Sequence, residues 1–152
     1  MIKELIHRFK YNQKIQYKTI FKNLFEEFIA TFNILRDVDL VIPVPLHPVR
    51  LREREYNQSQ ILACMISEII KKPVAEDILV RIRNTKSQID LDEKSRINNI
   101  SGCFAVKDGI KIQSKSILLV DDVLTTGITL SEAAGALKEL NPCKISALTL
   151  AS

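Results

Sequence analysis

The sequence predicts an α/β fold: an open, mostly parallel sheet flanked by helices. Three observations carry that expectation. Residues 117–120, Ile-Leu-Leu-Val, form an unbroken apolar run with β-branched ends, which suits a strand buried on both faces. A second run of the same kind, Asp39-Leu40-Val41-Ile42-Pro43-Val44-Pro45, stands well upstream. Around and between them lie segments whose apolar residues recur at helical spacing. At 152 residues the chain suffices for one well-buried domain and is too short for two ordinary ones. An N-terminal helical segment, 1–38, is expected to pack on a single structural unit, 39–152.

In chain order, residues 1–35 read as helix. Leu5, Ile6 and Phe9 form a short apolar face. After a polar break, Ile20, Leu24, Phe25, Phe28, Ile29 and Phe32 form a longer one. This amphipathic stripe reads as core packing rather than a platform for stacking bases. Pro43 and Pro45 lack ladder donors, so the first strand must end near them. A loop is then expected from Leu46 to Tyr56. It carries Arg50, Arg52 and Arg54 together with His47, a residue better suited to a structural or phosphate-facing role than to general-base work. Asn57 or Ser59 can cap a helix that runs to about Lys72, buries Ile61, Leu62, Met65, Ile66, Ile69 and Ile70, and stops at Pro73. Residues 78–82 read as a strand. Residues 84–99 are polar and charged, the character of a lid or binding loop, and 102–106 as a returning strand. After residues 117–120, an apolar-periodic helix is expected, with Leu130, Ala133, Ala134, Leu137 and Leu140 on one face. Residues 145–150 read as a final buried strand.

Composition bounds the classes. The formal charge of +4 and pI near 9.0 suit a polyanionic ligand and are compatible with weak nucleic-acid contact. No apolar run reaches membrane-spanning length and no signal-peptide core opens the chain, so cytoplasmic residence without membrane insertion is expected. Cys64, Cys103 and Cys143 are widely spaced with no C-x-x-C pair, which argues against a zinc ribbon or a disulfide framework. Cys64 reads as a small core residue of its helix.

The chemistry concentrates after the central run, in Val120-Asp121-Asp122-Val123-Leu124-Thr125-Thr126-Gly127-Ile128-Thr129. A loop ending at a helix N-terminus presents backbone N–H groups and the positive end of the helix dipole, a site for phosphate. Gly127 lets backbone approach a ligand, and Thr125, Thr126 and Thr129 add hydroxyl donors. Asp121 and Asp122 would repel that phosphate. They suit neutral hydroxyls such as a ribose diol, and a diol and a phosphate held apart by one sugar describe a ribose 5-phosphate unit. If the two buried strands are parallel, the arginine loop joins them at the carboxyl edge of the sheet. Arginine suits bidentate phosphate contact there.

The stretch from Val120 to Gly127 resembles the signature of type I phosphoribosyltransferases that binds 5-phosphoribosyl-1-pyrophosphate (PRPP). The resemblance implies that Asp121 and Asp122 hold the ribose hydroxyls and that Val123, Leu124, Thr125, Thr126, Gly127, Ile128 and Thr129 form the rest of the PRPP site. The wider pattern is similar to the ComF family of competence-associated phosphoribosyltransferase-like proteins. Val44-Pro45-Leu46-His47-Pro48 with Arg50, Arg52, Arg54 and Asn57-Gln58-Ser59 resembles its first block. Arg83, Thr85, Gln88, Leu91, Arg96, Asn99, Gly102 and Phe104 resemble its second. The family commonly begins with a cysteine-rich zinc module that these 152 residues do not include, either because the module is absent or because the sequence begins internally, and it tends to have glycine where Glu55 stands.

The resemblance implies a type I phosphoribosyltransferase fold with a flexible lid. The expected activity is transfer or hydrolysis of a phosphoribosyl group with pyrophosphate release, linked to DNA uptake. The expected catalytic residues are Asp121, Asp122, Lys86 and Arg96, with His47, Arg50 and Arg54 on pyrophosphate. The expected cofactor is Mg²⁺, held mainly by PRPP and water rather than by protein ligands. Beyond PRPP, the acceptor is left open, as are single-stranded DNA, competence proteins and a homodimer as partners. The competing expectation is a non-catalytic PRPP-responsive or single-stranded-DNA-binding module in transformation.

Overall fold

The computed structural model describes residues 15–32, 35–84, 101–107 and 112–151. Its centre is β4 (Ser116–Val123), which lies between β1 (Leu40–Pro43) and β5 (Lys144–Ala151) in a parallel sheet of order β1-β4-β5. The register sets Leu40 beside Ile117 and Pro43 beside Val120, and Ser116 beside Lys144 and Val123 beside Ala151. On the outer side of β1, Val41 forms a single parallel bridge to Val74. Its amide donates to the Pro73 carbonyl, and its own carbonyl accepts from Ala75. At the amino edge, Ser116 N–H donates to Asp39 Oδ2 at 2.9 Å.

The central run is buried on both faces, as its lack of alternation predicts. Ile117 and Leu119 belong to one cluster with Ile42, Leu130, Ala133 and Leu137. Leu118 and Val120 belong to a second with Val41, Leu62, Ala63, Met65, Ile66 and Phe25. The first cluster is closed by helix α4 (Ile128–Lys138) and by an antiparallel pair, β2 (Leu79–Arg81) with β3 (Phe104–Val106). The second is closed by α3 (Gln58–Ile70), with α1 (Ile15–Phe32) outside it. Each buried aliphatic side chain here contributes roughly 1.5–3 kcal/mol over exposure. Among the described residues no helix is long and apolar enough to cross a membrane.

Five expectations need correction. The segment after β1 is not all loop, because Pro48–Arg54 form a short helix, α2. Proline at its first position has a fitting φ, His47 caps it, and arginines are good helix formers. Residue Cys64 is only half-buried, with Sγ 3.8 Å from Glu76 Oε1, whereas Cys103 is the fully buried cysteine. Among the described residues β5 is an edge strand with β4 as its neighbour, and its residues are half-buried or exposed. On α1, Phe25 is buried but Leu24 and Phe28 are 43% and 36% exposed, because α3 covers only a narrow stripe of that helix. The buried side of α3 is also shifted: it holds Gln58, Ser59, Leu62, Ala63, Met65 and Ile66, while Ile61, Ile69 and Ile70 are only partly covered. Leu5, Ile6 and Phe9 lie outside the described residues.

Candidate functional site at the carboxyl edge

Because β1 and β4 are parallel and in register at Pro43 and Val120, the segments that follow them emerge at the same edge of the sheet. Val44 N–H donates to the Val120 carbonyl at 2.8 Å, so the two chains part company together. β4 does not stop at the acidic doublet. It continues through Asp121, paired with Thr149, and Asp122 to Val123, and both carboxylates are therefore set on regular strand.

Two donors from different elements hold one oxygen of Asp121. Ser59 Oγ–H donates to Asp121 Oδ1 at 2.9 Å, and Asp122 N–H donates to the same oxygen at 2.9 Å. Ser59 is placed by Asn57. The Asn57 side chain is the N-cap of α3, its Oδ1 accepting from Ser59 N–H at 3.1 Å, while its Nδ2 donates to the Val44 carbonyl at 3.0 Å. The Asn57-Gln58-Ser59 tripeptide, buried throughout, thus fastens the end of β1, the start of α3 and the doublet of β4 to one another.

Beyond Val123 the chain turns through Leu124, whose N–H donates to the Ala151 carbonyl at 2.7 Å, and exposes Thr125 and Thr126. Gly127 is the N-cap of α4 at φ 76°, a left-handed conformation that glycine adopts without strain. It offers the first turn no side-chain acceptor, so the amide-rich end of an eleven-residue helix faces the threonine loop. Val123, Ile128 and Thr129 are half-buried at its two ends.

The basic side of the edge is α2. His47 caps it, its Nδ1 accepting from Val49 N–H at 3.3 Å. Arg50 Nη1 meets Glu53 Oε2 at 3.1 Å, a partly exposed pair that a polyanion can compete for. Arg54 lies exposed in the last turn. Glu55, the C-cap, sits at φ 66°, the left-handed region that favours glycine.

Sequence reasoning missed Arg81. It lies on β2 with its guanidinium carbon 5.4 Å from the Phe104 ring centroid. Burial pushes its pKa below the ordinary value. Cys103 and Asp121 act in the other direction, and Arg50 adds to the lowering. The guanidinium therefore stands within electrostatic reach of Asp121 on β4 and Arg50 on α2. The signal was available: an arginine inside the otherwise apolar run Leu79-Val80-Arg81-Ile82.

Of the remaining expected residues, Lys86 and Arg96 lie outside the described residues, as do Thr85, Gln88, Leu91 and Asn99. The ends of that segment are anchored: Arg83 Nη1 donates to the Ser101 carbonyl, and Gly102 N–H to Glu132 Oε2 of α4 at 3.1 Å. A cavity of about 640 Å³ lies elsewhere, between α1, α2 and the outer side of α3. It shares Asn57 with the site, but neither the doublet nor the threonine loop lines it. Among the described residues no cluster of three or more His, Cys, Asp or Glu could hold a metal ion.

A parallel sheet whose carboxyl edge joins an acidic doublet to a glycine-started helix defines an architecture of the phosphoribosyltransferase class. The chain belongs to the phosphoribosyl transferase domain family, whose model matches residues 58–152. It is similar to Competence protein F of Haemophilus influenzae, at 31% identity over 97% of this chain and 66% of that protein. The corresponding figures for Competence protein ComFC of Bacillus subtilis are 31%, 99% and 59%. For the DNA utilization protein YhgH of Escherichia coli K12 they are 27%, 86% and 58%. The chain thus spans from 58% to 66% of the length of these relatives. Among solved structures, its fold resembles glutamine PRPP amidotransferase of B. subtilis, with TM-score 0.57, 18% identity, and coverage of 88% of this chain and 26% of that one. Purine phosphoribosyltransferase of Pyrococcus horikoshii gives 0.54, 17%, 87% and 71%. The resemblance read from the three sequence blocks is borne out by these relatives.

Proposed function

We propose that this domain binds PRPP at the carboxyl edge and displaces its pyrophosphate, passing the phosphoribosyl group to an acceptor or to water. The observation that supports the reading most is the convergence of three unlike groups on one edge: the Asp121–Asp122 doublet, the Gly127-started helix with its threonines, and the arginines of α2 with Arg81. In this reading the 5-phosphate takes the amides and hydroxyls of Thr125 to Thr129, and the ribose diol donates to Asp121 and Asp122. The pyrophosphate meets Arg50, Arg54 and Arg81. His47 acts through the shape of α2.

In the reaction the C1–oxygen bond to pyrophosphate breaks and its electron pair leaves on the pyrophosphate oxygen. A lone pair of the nucleophile closes on C1, and the nucleophile's proton passes to solvent. Positive charge accumulates on the ring during the exchange, as in glycoside cleavage. The protein's contribution is positional and electrostatic. Two adjacent carboxylates on a strand make a poor cage for a divalent cation, so a Mg²⁺ would be held mainly by PRPP oxygens and water. The cation would neutralise the departing pyrophosphate. Incubation with Mg-PRPP and a nucleobase mixture, followed by pyrophosphate assay, tests the reaction; no pyrophosphate above the protein-free control would remove it.

One observation favours a second reading, a DNA-binding module without turnover. Arg52 and Arg54 are exposed on α2, and the relatives are named for competence and DNA utilization. It predicts binding of single-stranded DNA that weakens steeply with salt and is lost when both arginines are replaced by alanine.

A further inference from the structure

We propose that Ser59 is a positioning residue for the sugar-binding carboxylate: through its hydrogen bond to Asp121 it sets the site's preference for sugar phosphates that carry a vicinal diol. The inference rests on the PRPP reading and names a residue that reading does not use. A carboxylate turns readily about its last torsion, so its direction must be imposed from outside. Two of the groups that impose it meet at one oxygen: Ser59 Oγ–H and Asp122 N–H each donate to Asp121 Oδ1 at 2.9 Å. The hydroxyl must be the donor, since a carboxylate only accepts. Ser59 itself has little freedom. It is 4% exposed, its N–H is held by Asn57 Oδ1, and Asn57 is tied in turn to the Val44 carbonyl.

The hydrogen bond is not needed to seat α3. Leu62, Ala63 and Ile66, each 0% exposed, already anchor that helix on Leu118 and Val120. Removing the hydroxyl should therefore change the direction of Asp121 rather than the fold. A misdirected carboxylate loses its hold on the diol and leaves the phosphate end of the site untouched.

The test uses the full chain and two stable ligands, 1,4-anhydroribitol 5-phosphate and tetrahydrofurfuryl phosphate, which share ring and phosphate and differ only in the diol. Calorimetry should show the wild type preferring the diol ligand by about tenfold or more. Ser59→Ala should cut that preference to about threefold or less, with affinity for tetrahydrofurfuryl phosphate unchanged. Ser59→Thr, which keeps the hydroxyl, should restore it, and in an Asp121→Asn background Ser59→Ala should add nothing further. A Ser59→Ala protein with the wild-type preference, or one that loses both ligands equally, overturns the proposal while leaving the PRPP reading in place. A wild type that binds neither ligand and no Mg-PRPP overturns both.

Discussion

Ser59 on α3 and Asp121 on β4 are joined by a 2.9 Å hydrogen bond across 62 positions of sequence. The contact ties the start of a helix to the end of the central strand, at the edge where the acidic doublet, the threonine loop and α2 meet.

Asn57→Ala removes the cap of α3 and leaves the Val44 carbonyl without its side-chain donor. Losing both should cost about 2 kcal/mol of stability, read as a lower urea midpoint at unchanged slope. An unchanged midpoint would show that the tripeptide does not clamp the edge.

Glu55→Gly should have the opposite sign. Glutamate at φ 66° carries a steric cost that glycine avoids. The exposed side chain gives up little, so the variant should be more stable by roughly 0.5–1 kcal/mol in the same urea titration.

Leu62→Ala opens a cavity between α3 and β4 in a residue that is 0% exposed. A loss of about 2–5 kcal/mol is expected, measured by denaturant unfolding. A much smaller loss would mean that the second core cluster packs loosely.

Arg81→Met keeps an apolar stem beside Phe104 and removes the charge that Asp121 and Arg50 feel. Pyrophosphate binding should weaken by about tenfold or more, in a titration of pyrophosphate with Mg²⁺. Equal binding by wild type and variant would place Arg81 outside the anion site.

Much of this architecture could be read from particular residues. Four consecutive apolar residues at 117–120 announced a doubly buried strand, and Leu118 and Leu119 do pack into opposite clusters. The glycine and threonines before Leu130 announced a helix start after an acidic strand end, and Gly127 is that N-cap. Local pattern failed where tertiary context decides. The α2 helix was hidden because its seven residues carry no apolar face to betray the period. β5 looked like a buried strand because apolar content does not tell whether a second neighbour flanks it. Arg81 was legible as an anomaly within a strand, but what it faces depends on how the β2–β3 pair docks. The Ser59–Asp121 contact could not be read at all, since Ser59 stood beside Asn57 as one of two candidate helix caps. Asn57 takes that role and frees Ser59 for the strand.

Whether the doublet holds PRPP is read by calorimetric titration of Mg-PRPP into the wild type and into Asp121→Asn/Asp122→Asn. Carboxamides keep the shape of the doublet while removing its charge and half its acceptors. The wild type should bind saturably and the double variant not at all, with both proteins equally folded by circular dichroism. Equal binding by the two proteins, or none by the wild type, would contradict that role for the doublet.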